Sequence, residues 1–342
     1  MTELAHFPIL ATLGPASLDG PTIKSMTEAG VSLFRINLSH TKIETLEGTI
    51  ELIREHTDTP ICLDSEGAQI RTARFDEGAI QLVAGKTIEM SFDNAAGRSD
   101  CLAFYPAGVA RDFREGDLID IDFHHAQIHV TEVSGDVAKG IVARSGKVGS
   151  NKAVSIDRAI PLPAITNKDI EAIDIGRNMG IKHFALSFAN TPDGVAEFRN
   201  RIGEAATLIA KIESTEGLRN LEGISRLADA ILIDRGDLSS QVAIESIPFV
   251  QRRIIAFVRA MGKPVFVATN LLESMVESIS PNRAEVNDVV SSLDMGATGL
   301  VLAAETAIGE HPVAAVEMIA RLIDRYSRWT PHTTLDEILE FF

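Results

Sequence analysis

The sequence predicts an α/β fold, a TIM (β/α)8 barrel with an inserted small antiparallel β-barrel lid domain. Two observations carry the barrel. Short runs rich in Val, Ile and Leu alternate with stretches of helical period, the pattern of parallel strands buried on both faces by helices. There are about eight such runs, the number that closes a (β/α) barrel. A third observation carries the insertion: from about residue 74 to residue 156 the rhythm changes to apolar–polar alternation punctuated by Gly, Asp and Ser, which reads as antiparallel hairpins.

In chain order the apolar runs are FPILATLG (7–14), VSLFRINLS (31–39), PICLDSEG (60–67), HFALSF (183–188), ATLIAKI (206–212), AILID (230–234), PVFVAT (264–269) and GLVLAA (299–304). Between them lie amphipathic stretches such as KIETLEGTIELIREH (42–56), NKDIEAIDIGRNMG (167–180), TEGLRNLEGISRLAD (215–229), IPFVQRRIIAFVRAMG (247–262) and RAEVNDVVSSLDMG (283–296). Several end at glycine, as helices commonly do. The alternating segments KTIEMSF (86–92), GDLIDIDF (116–123), AQIHVTEV (126–133) and AKGIVARS (138–145) form the insertion. The expected division is a catalytic barrel from 1–73 and 157–342 and an inserted β domain from 74–156. Domains inserted on barrel loops commonly close over an active site, which makes this one a candidate lid.

Composition narrows the function classes. The chain has 342 residues, 45% hydrophobic and 23% charged, values of a globular protein rather than a disordered one. Its formal net charge of −16 argues against a nucleic-acid or anionic-membrane partner, and an anionic substrate needs a local positive pocket. Only two cysteines occur, Cys62 and Cys101, without metal spacing. No secretory leader and no apolar run near the ~18 residues of a membrane span is present, so a cytoplasmic location is expected. No Walker loop occurs, so a nucleotide requires another device.

Barrel chemistry sits at the C-terminal strand ends. The second run ends Arg35-Ile36-Asn37-Leu38-Ser39-His40, and period-two alternation puts Arg35, Asn37 and Ser39 on one face. The third ends Asp64-Ser65-Glu66, with Arg71 following; the fifth ends Lys211-Ile212-Glu213; the sixth ends Asp234-Arg235-Gly236-Asp237. The seventh ends at Thr269 and the eighth at Glu305-Thr306. Lys211 and Glu213 share a face, and the neighbouring sixth strand places Asp237 beside Glu213. Two carboxylates there suit Mg²⁺ or Mn²⁺, with the lysine as a point charge for a phosphoryl or enolate oxygen. The simpler alternative is a salt bridge between Lys211 and Glu213 closing the barrel top. His124, His125 and His129 lack a carboxylate or cysteine partner and read as solvated or packed side chains.

These residues fall in motifs that identify the chain as resembling the pyruvate kinase family over nearly its whole length: ATLGPAS (11–17), RINLSH (35–40), LDSEGAQIRT (63–72), LPAITNKD (162–169), SF (187–188), AKIES (210–214), RGDL (235–238), VATNLLESM (267–275), NRAEVNDV (282–289) and AETAIGEHPVAAV (304–316). The resemblance implies that Glu213 and Asp237 hold Mg²⁺ or Mn²⁺ and that Lys211 stabilises the phosphoryl group in flight. It implies that backbone amides near Gly236 and Asp237 bind the substrate carboxylate, and that Thr269 lies near the methylene carbon that is protonated. Arg35 would contact phosphate, while Asn37, Ser39, Asp64 and Ser65 would build a K⁺ site. His40, Arg71 and Lys168 would face the nucleotide (ADP/ATP) or substrate phosphates. The chain ends near the last barrel helix, where family members continue into an allosteric domain, so regulation through that domain is not expected. Outer barrel helices could pair two subunits into a homo-oligomer.

Several positions depart from the family pattern. Asp234 and Ser239 stand where the family has Ala and Gly around Arg-Gly-Asp-Leu. Ser65-Glu66-Gly67-Ala68-Gln69-Ile70-Arg71 replaces Thr-Lys-Gly-Pro-Glu-Ile-Arg, reversing one charge and removing the acid linked to potassium dependence. Ala303-Ala304 replaces Ser-Gly, and Asn270 replaces Gln. Three functions are compatible: phosphoryl transfer from phosphoenolpyruvate to ADP, giving pyruvate and ATP; a metal-dependent lyase or decarboxylase that stabilises the enolate of another 2-oxo acid; and a non-catalytic metabolite binder. The joint presence of Lys211, Glu213, Asp237 and Thr269 favours catalysis. A Lys211→Ala variant is expected to lose phosphoryl transfer while folding normally.

Overall fold

The computed structural model describes residues 7–340 except 68, 77, 94–96, 99, 123–124, 136 and 159, so His124 lies outside the described residues. The chain divides into two compact units, Met1–Gly67 with Ala164–Phe342, and Ala68–Pro163.

The larger unit is a closed barrel of eight strands: β1 (Ile9–Leu13), β2 (Val31–Asn37), β3 (Ile61–Asp64), β4 (His183–Leu186), β5 (Thr207–Ile212), β6 (Ala230–Asp234), β7 (Val265–Ala268) and β8 (Gly299–Leu302). Each strand pairs in parallel with the next, and β8 closes on β1. All eight apolar runs therefore enter the barrel. The runs differ from the strands mainly at their C-terminal ends. β7 stops before Thr269, and Glu305-Thr306 lie in a short helix, Ala304–Ala307, because their backbone turns away from the sheet.

Alternation divides each strand between two cores. One set of side chains, with Phe34, Ile36, Leu63, Phe184, Leu208, Ile231, Val267 and Leu300 among them, packs under the helices. The other set fills the barrel interior: Leu10, Leu33, Cys62, Ala185, Ile209, Leu232, Phe266 and Val301, with Ala230 and Ala268. Helix starts are defined locally. Thr166 with Asp169, and Asn282 with Glu285, form capping boxes, and Asp19 and Thr191 cap helices that open with proline in the first turn.

The smaller unit contains a closed seven-stranded barrel and a separate two-stranded sheet, Ala79–Leu82 with Gly146–Gly149. Its core is formed by residues such as Met90, Leu102, Phe104, Ile119, Ile128 and Val130. One pairing departs from the expected antiparallel pattern: Thr87–Ser91 and Cys101–Tyr105 run parallel. A period-two pattern sets the faces of a strand but not the direction of its neighbour. His125 and His129 are exposed, in keeping with solvated side chains.

Gly299 marks a tight point of the larger barrel. A Cβ there would lie 2.4 Å from Phe266 Cε1 and 2.9 Å from the Pro8 carbonyl oxygen. Overpacking of this kind costs roughly 1–3 kcal/mol. Gly299→Ala is therefore expected to lower the midpoint of thermal unfolding, whereas Gly48→Ala, at an exposed position with open space around it in the helix Leu46–His56, should hold or raise it, because alanine is favoured over glycine in a helix by roughly 0.5–1 kcal/mol.

Candidate active site

One step beyond the interior apolar layer, at the C-terminal ends of the strands, the same alternation brings polar residues inward. Leu10 is followed two residues on by Thr12, Leu33 by Arg35, Cys62 by Asp64, Ala185 by Ser187, Ile209 by Lys211 and Leu232 by Asp234. Lys211 is the hub of this ring. Its Nζ lies 2.9 Å from Glu213 Oε1, 3.2 Å from Asp64 Oδ2 and 3.7 Å from Asp234 Oδ2, and donates to Ser187 Oγ at 3.0 Å. Arg35 forms an ion pair with Asp64 and donates to Thr12 Oγ1 at 2.8 Å. The Ser187 hydroxyl in turn donates to Asp64 Oδ1 at 3.1 Å.

This network sets the charge states. Burial alone would lower the Lys211 pKa, but Asp64 and Glu213 outweigh it and hold the ammonium above its ordinary value. Burial raises the Glu213 pKa, and the charges of Asp234, Asp237 and Asp64 add to that against the pull of Lys211. Asp234 is shifted the other way: burial is overcome by Lys211, the Thr269 hydroxyl and Arg35, so its carboxyl stays below the usual range. Glu213, Asp234 and Asp237 together offer ligand atoms within 4.8 Å of one another, the one such group among the described residues. Glu213 Oε2 accepts from the Phe188 amide, while Oε1 is buried without a hydrogen-bond partner, its ion-pair contact with Lys211 apart.

The sixth and seventh strand ends meet at Thr269. This β-branched residue has φ of 72° and is followed by Asn270 at 56°, a sparsely populated pair of conformations that needs support from its surroundings. Support comes from the short helix Arg235–Leu238. Arg235 donates to the Thr269 carbonyl from Nη2 at 2.6 Å and is anchored on Asp288 at 2.6 Å. The Thr269 hydroxyl donates to Asp234 Oδ1 at 2.6 Å. A Cβ at position 236 would lie 2.7 Å from the Thr269 methyl, which explains the glycine there. Ser239 donates to the Gly236 carbonyl at 2.7 Å and so serves the helix turn.

The remaining expected site residues divide. Lys168 donates to the Leu38 carbonyl and pairs with Glu66 at 3.1 Å, so the charge reversed at position 66 neutralises a neighbouring lysine. The Asn37 amide oxygen accepts from the Ser39 amide at 3.0 Å, and Ser65 Oγ accepts from the Ser187 amide at 2.8 Å. His40 is exposed. Arg71 belongs to the smaller unit, where it donates to the Asn151 carbonyl at 3.1 Å. Glu305 is buried and accepts from the Leu272 and Ala303 amides, which makes it a brace for two loops. Beside Thr269, a cavity of about 450 Å³ opens between the β7 and β8 ends, lined in part by Asn270, Ala303, Ala304 and Glu305. Thr12 and Ser187 were not singled out from sequence as site residues. Counting by two from the interior apolar residues would have found both.

A parallel eight-stranded barrel with buried polar side chains, a lysine and clustered carboxylates among them, at the C-terminal ends of its strands carries them where (β/α)8 barrel enzymes have their active sites. A family model described as pyruvate kinase, barrel domain, matches residues 5–316. The chain is 35% identical to a pyruvate kinase of Mycobacterium tuberculosis over 324 residues, covering 92% of this chain and 69% of that protein. It is 36% identical to a pyruvate kinase of Methylorubrum extorquens, covering 94% and 68% respectively. The crystal structure of a pyruvate kinase from Cryptosporidium parvum superimposes with a TM-score of 0.85 at 29% identity, covering 96% of this chain and 70% of that one. The chain belongs to the pyruvate kinase family and is a pyruvate kinase-like phosphotransferase.

The network changes one expectation. Lys211→Ala does not simply remove a charge from a solvated cleft; it leaves Glu213 and Asp234 without their ammonium in a buried site, and Asp64 with Arg35 as its one remaining ion-pair partner. Losing one partner of a buried ion pair costs about 3–5 kcal/mol. Burial already lifts the folded-state pKa of Glu213, so the folded protein binds that proton more tightly than the unfolded chain, and stability falls as pH rises through this range. Without Lys211 the lift grows. Unfolding measurements should show a penalty that is larger at pH 8 than at pH 5; a variant equally stable at both would contradict the stranded-carboxylate account.

Proposed function

We propose that the site transfers the phosphoryl group of phosphoenolpyruvate to ADP, giving pyruvate and ATP, with a divalent cation held by Glu213 and Asp237. The observation that carries this reading is Lys211, a buried ammonium kept charged by three carboxylates where the strands converge. A fixed positive charge in a water-poor site stabilises charge that develops during reaction without reorganising.

The residues fit a hard divalent cation. The donors are carboxylate oxygens, the preferred ligands of Mg²⁺ and Mn²⁺, and the buried Glu213 Oε1 has no hydrogen-bond partner beyond its ion-pair contact with Lys211. When bound, such an ion would neutralise phosphoryl and enolate oxygens. The chain's own groups do the rest. Arg35 and Lys211 attract the phosphate, and the bond from phosphorus to the enol oxygen breaks as one forms to a terminal ADP oxygen. Lys211 holds the enolate oxygen left behind. Backbone amides at Gly236 and Asp237 take the substrate carboxylate, and the Thr269 hydroxyl borders the methylene carbon that gains a proton. Lys168 and His40 are assigned to the phosphates of the nucleotide.

The proposed K⁺ ligands fit less well. Both Asp64 oxygens already serve Arg35, Lys211 and Ser187, and the Asn37 amide oxygen closes a turn on Ser39. No step is assigned to K⁺. A cytoplasmic setting suits the two free cysteines, Cys62 and Cys101. Among the described residues, no helix is long and apolar enough to cross a membrane.

An assay coupling pyruvate release to lactate dehydrogenase is expected to show turnover that needs both ADP and Mg²⁺ and stops on chelation. Metal-independent turnover, or none from phosphoenolpyruvate, would defeat the proposal. Glu213→Gln should weaken Mn²⁺ binding, read by electron paramagnetic resonance, by more than the ~10-fold to 100-fold typical of losing a mere outer-shell partner.

A further inference from the structure

The Asp234 carboxylate is placed on donors that the proposed function assigns to the substrate. Alternation puts Asp234 on the interior side of β6, in line with Ala230 and Leu232, rather than among the helices. Its Oδ1 accepts from the Gly236 amide at 3.2 Å and from the Thr269 hydroxyl at 2.6 Å. Its Oδ2 faces Lys211 Nζ at 3.7 Å. One internal carboxylate thus engages a backbone N–H, a hydroxyl and an ammonium at the mouth of the barrel.

We propose that Asp234 occupies the carboxylate subsite of this chain and is the residue that sets its specificity, by competing with the carboxylate of an incoming enol phosphate. The inference rests on the assignment of the Gly236 amide to the substrate carboxylate. Two carboxylates cannot share these donors: each N–H or O–H has one hydrogen to give, and the anions repel at short range. Glu213 and Asp237 add negative charge beside them. A carboxylate-bearing substrate must therefore displace Asp234, whereas an enol phosphate or enolate without a carboxylate at that position meets no such competitor. Discrimination arises from a built-in repulsive group as well as from attraction.

The same geometry makes the test one of gained affinity. Removing the Asp234 carboxylate leaves the Gly236 amide and the Thr269 hydroxyl without an acceptor, a cost that a bound carboxylate would relieve. Oxalate is the probe, since it is a planar dianion of the size of enolpyruvate. Titration calorimetry with saturating Mn²⁺ would compare the wild-type chain with Asp234→Ala and Asp234→Asn. Oxalate is expected to bind Asp234→Ala at least about tenfold tighter than wild type, an order of magnitude being the worth of one well-formed hydrogen bond to a charged group. The same variant should show a KM for phosphoenolpyruvate reduced by a similar factor, with kcat changed less. Asp234→Asn, which keeps the shape and an acceptor but no charge, should fall between them and guards against a folding defect in the alanine variant.

Equal or weaker oxalate binding by both variants, with Mn²⁺ binding intact, would overturn the proposal while leaving the carboxylate subsite standing. Loss of Mn²⁺ binding in both would also overturn it, and would make Asp234 a metal ligand instead. Binding of Mn²⁺ but of no oxalate by all three proteins would show that Gly236 does not take a carboxylate, removing the assignment on which the proposal rests.

Discussion

The arrangement at the barrel mouth depends on one buried ammonium. Lys211 holds Asp64, Glu213 and Asp234 around itself, and through Asp64 it shares a carboxylate with Arg35. Desolvating an ion costs several kcal/mol, and a single carboxylate at 3 Å returns a gross ~5 kcal/mol at an effective dielectric of 20. One partner would roughly break even. Three partners hold the charge securely, and the lysine in turn keeps a crowd of acids from repelling one another apart. The strands supply the rigidity, because Arg35, Asp64, Lys211 and Asp234 each follow directly from a packed interior layer and have little room to move.

A second, smaller constraint builds the opposite wall. Thr269 and Asn270 adopt conformations that few residues tolerate, and the turn from Asp234 to Gly236 accommodates them from three directions. Arg235 transmits this hold outward to Asp288 on the helix Arg283–Asp294, so part of the site's geometry is anchored in the outer layer. The Arg-Gly-Asp sequence thus has a distinct role at each letter: the arginine braces the neighbouring loop, the glycine makes room for the Thr269 methyl, and the aspartate joins the carboxylate group.

Much of this was legible in the sequence, for reasons that are local. The eight apolar runs were recognisable because buried parallel strands need Val, Ile and Leu on both faces, and the clustering of Lys211, Glu213 and Asp237 followed from period-two spacing and the adjacency of β5 and β6. Other features were not legible. The parallel pairing of Thr87–Ser91 with Cys101–Tyr105 leaves no mark on either segment. The neutralisation of Lys168 by Glu66 joins residues 102 positions apart, and the role of Glu305 as a brace depends on two loops it approaches only after folding.

Asp234 shows where the boundary falls. The sequence by itself determined that a carboxylate stands at the end of β6, and alternation alone sends it toward the barrel interior. Only the tertiary structure decided what that carboxylate meets. Its partners are an amide two residues ahead, a hydroxyl 35 residues away on β7's loop and an ammonium on β5. Distances among them are set by barrel closure and by the left-handed turn at Thr269, and neither is encoded in the spacing of residues along one strand.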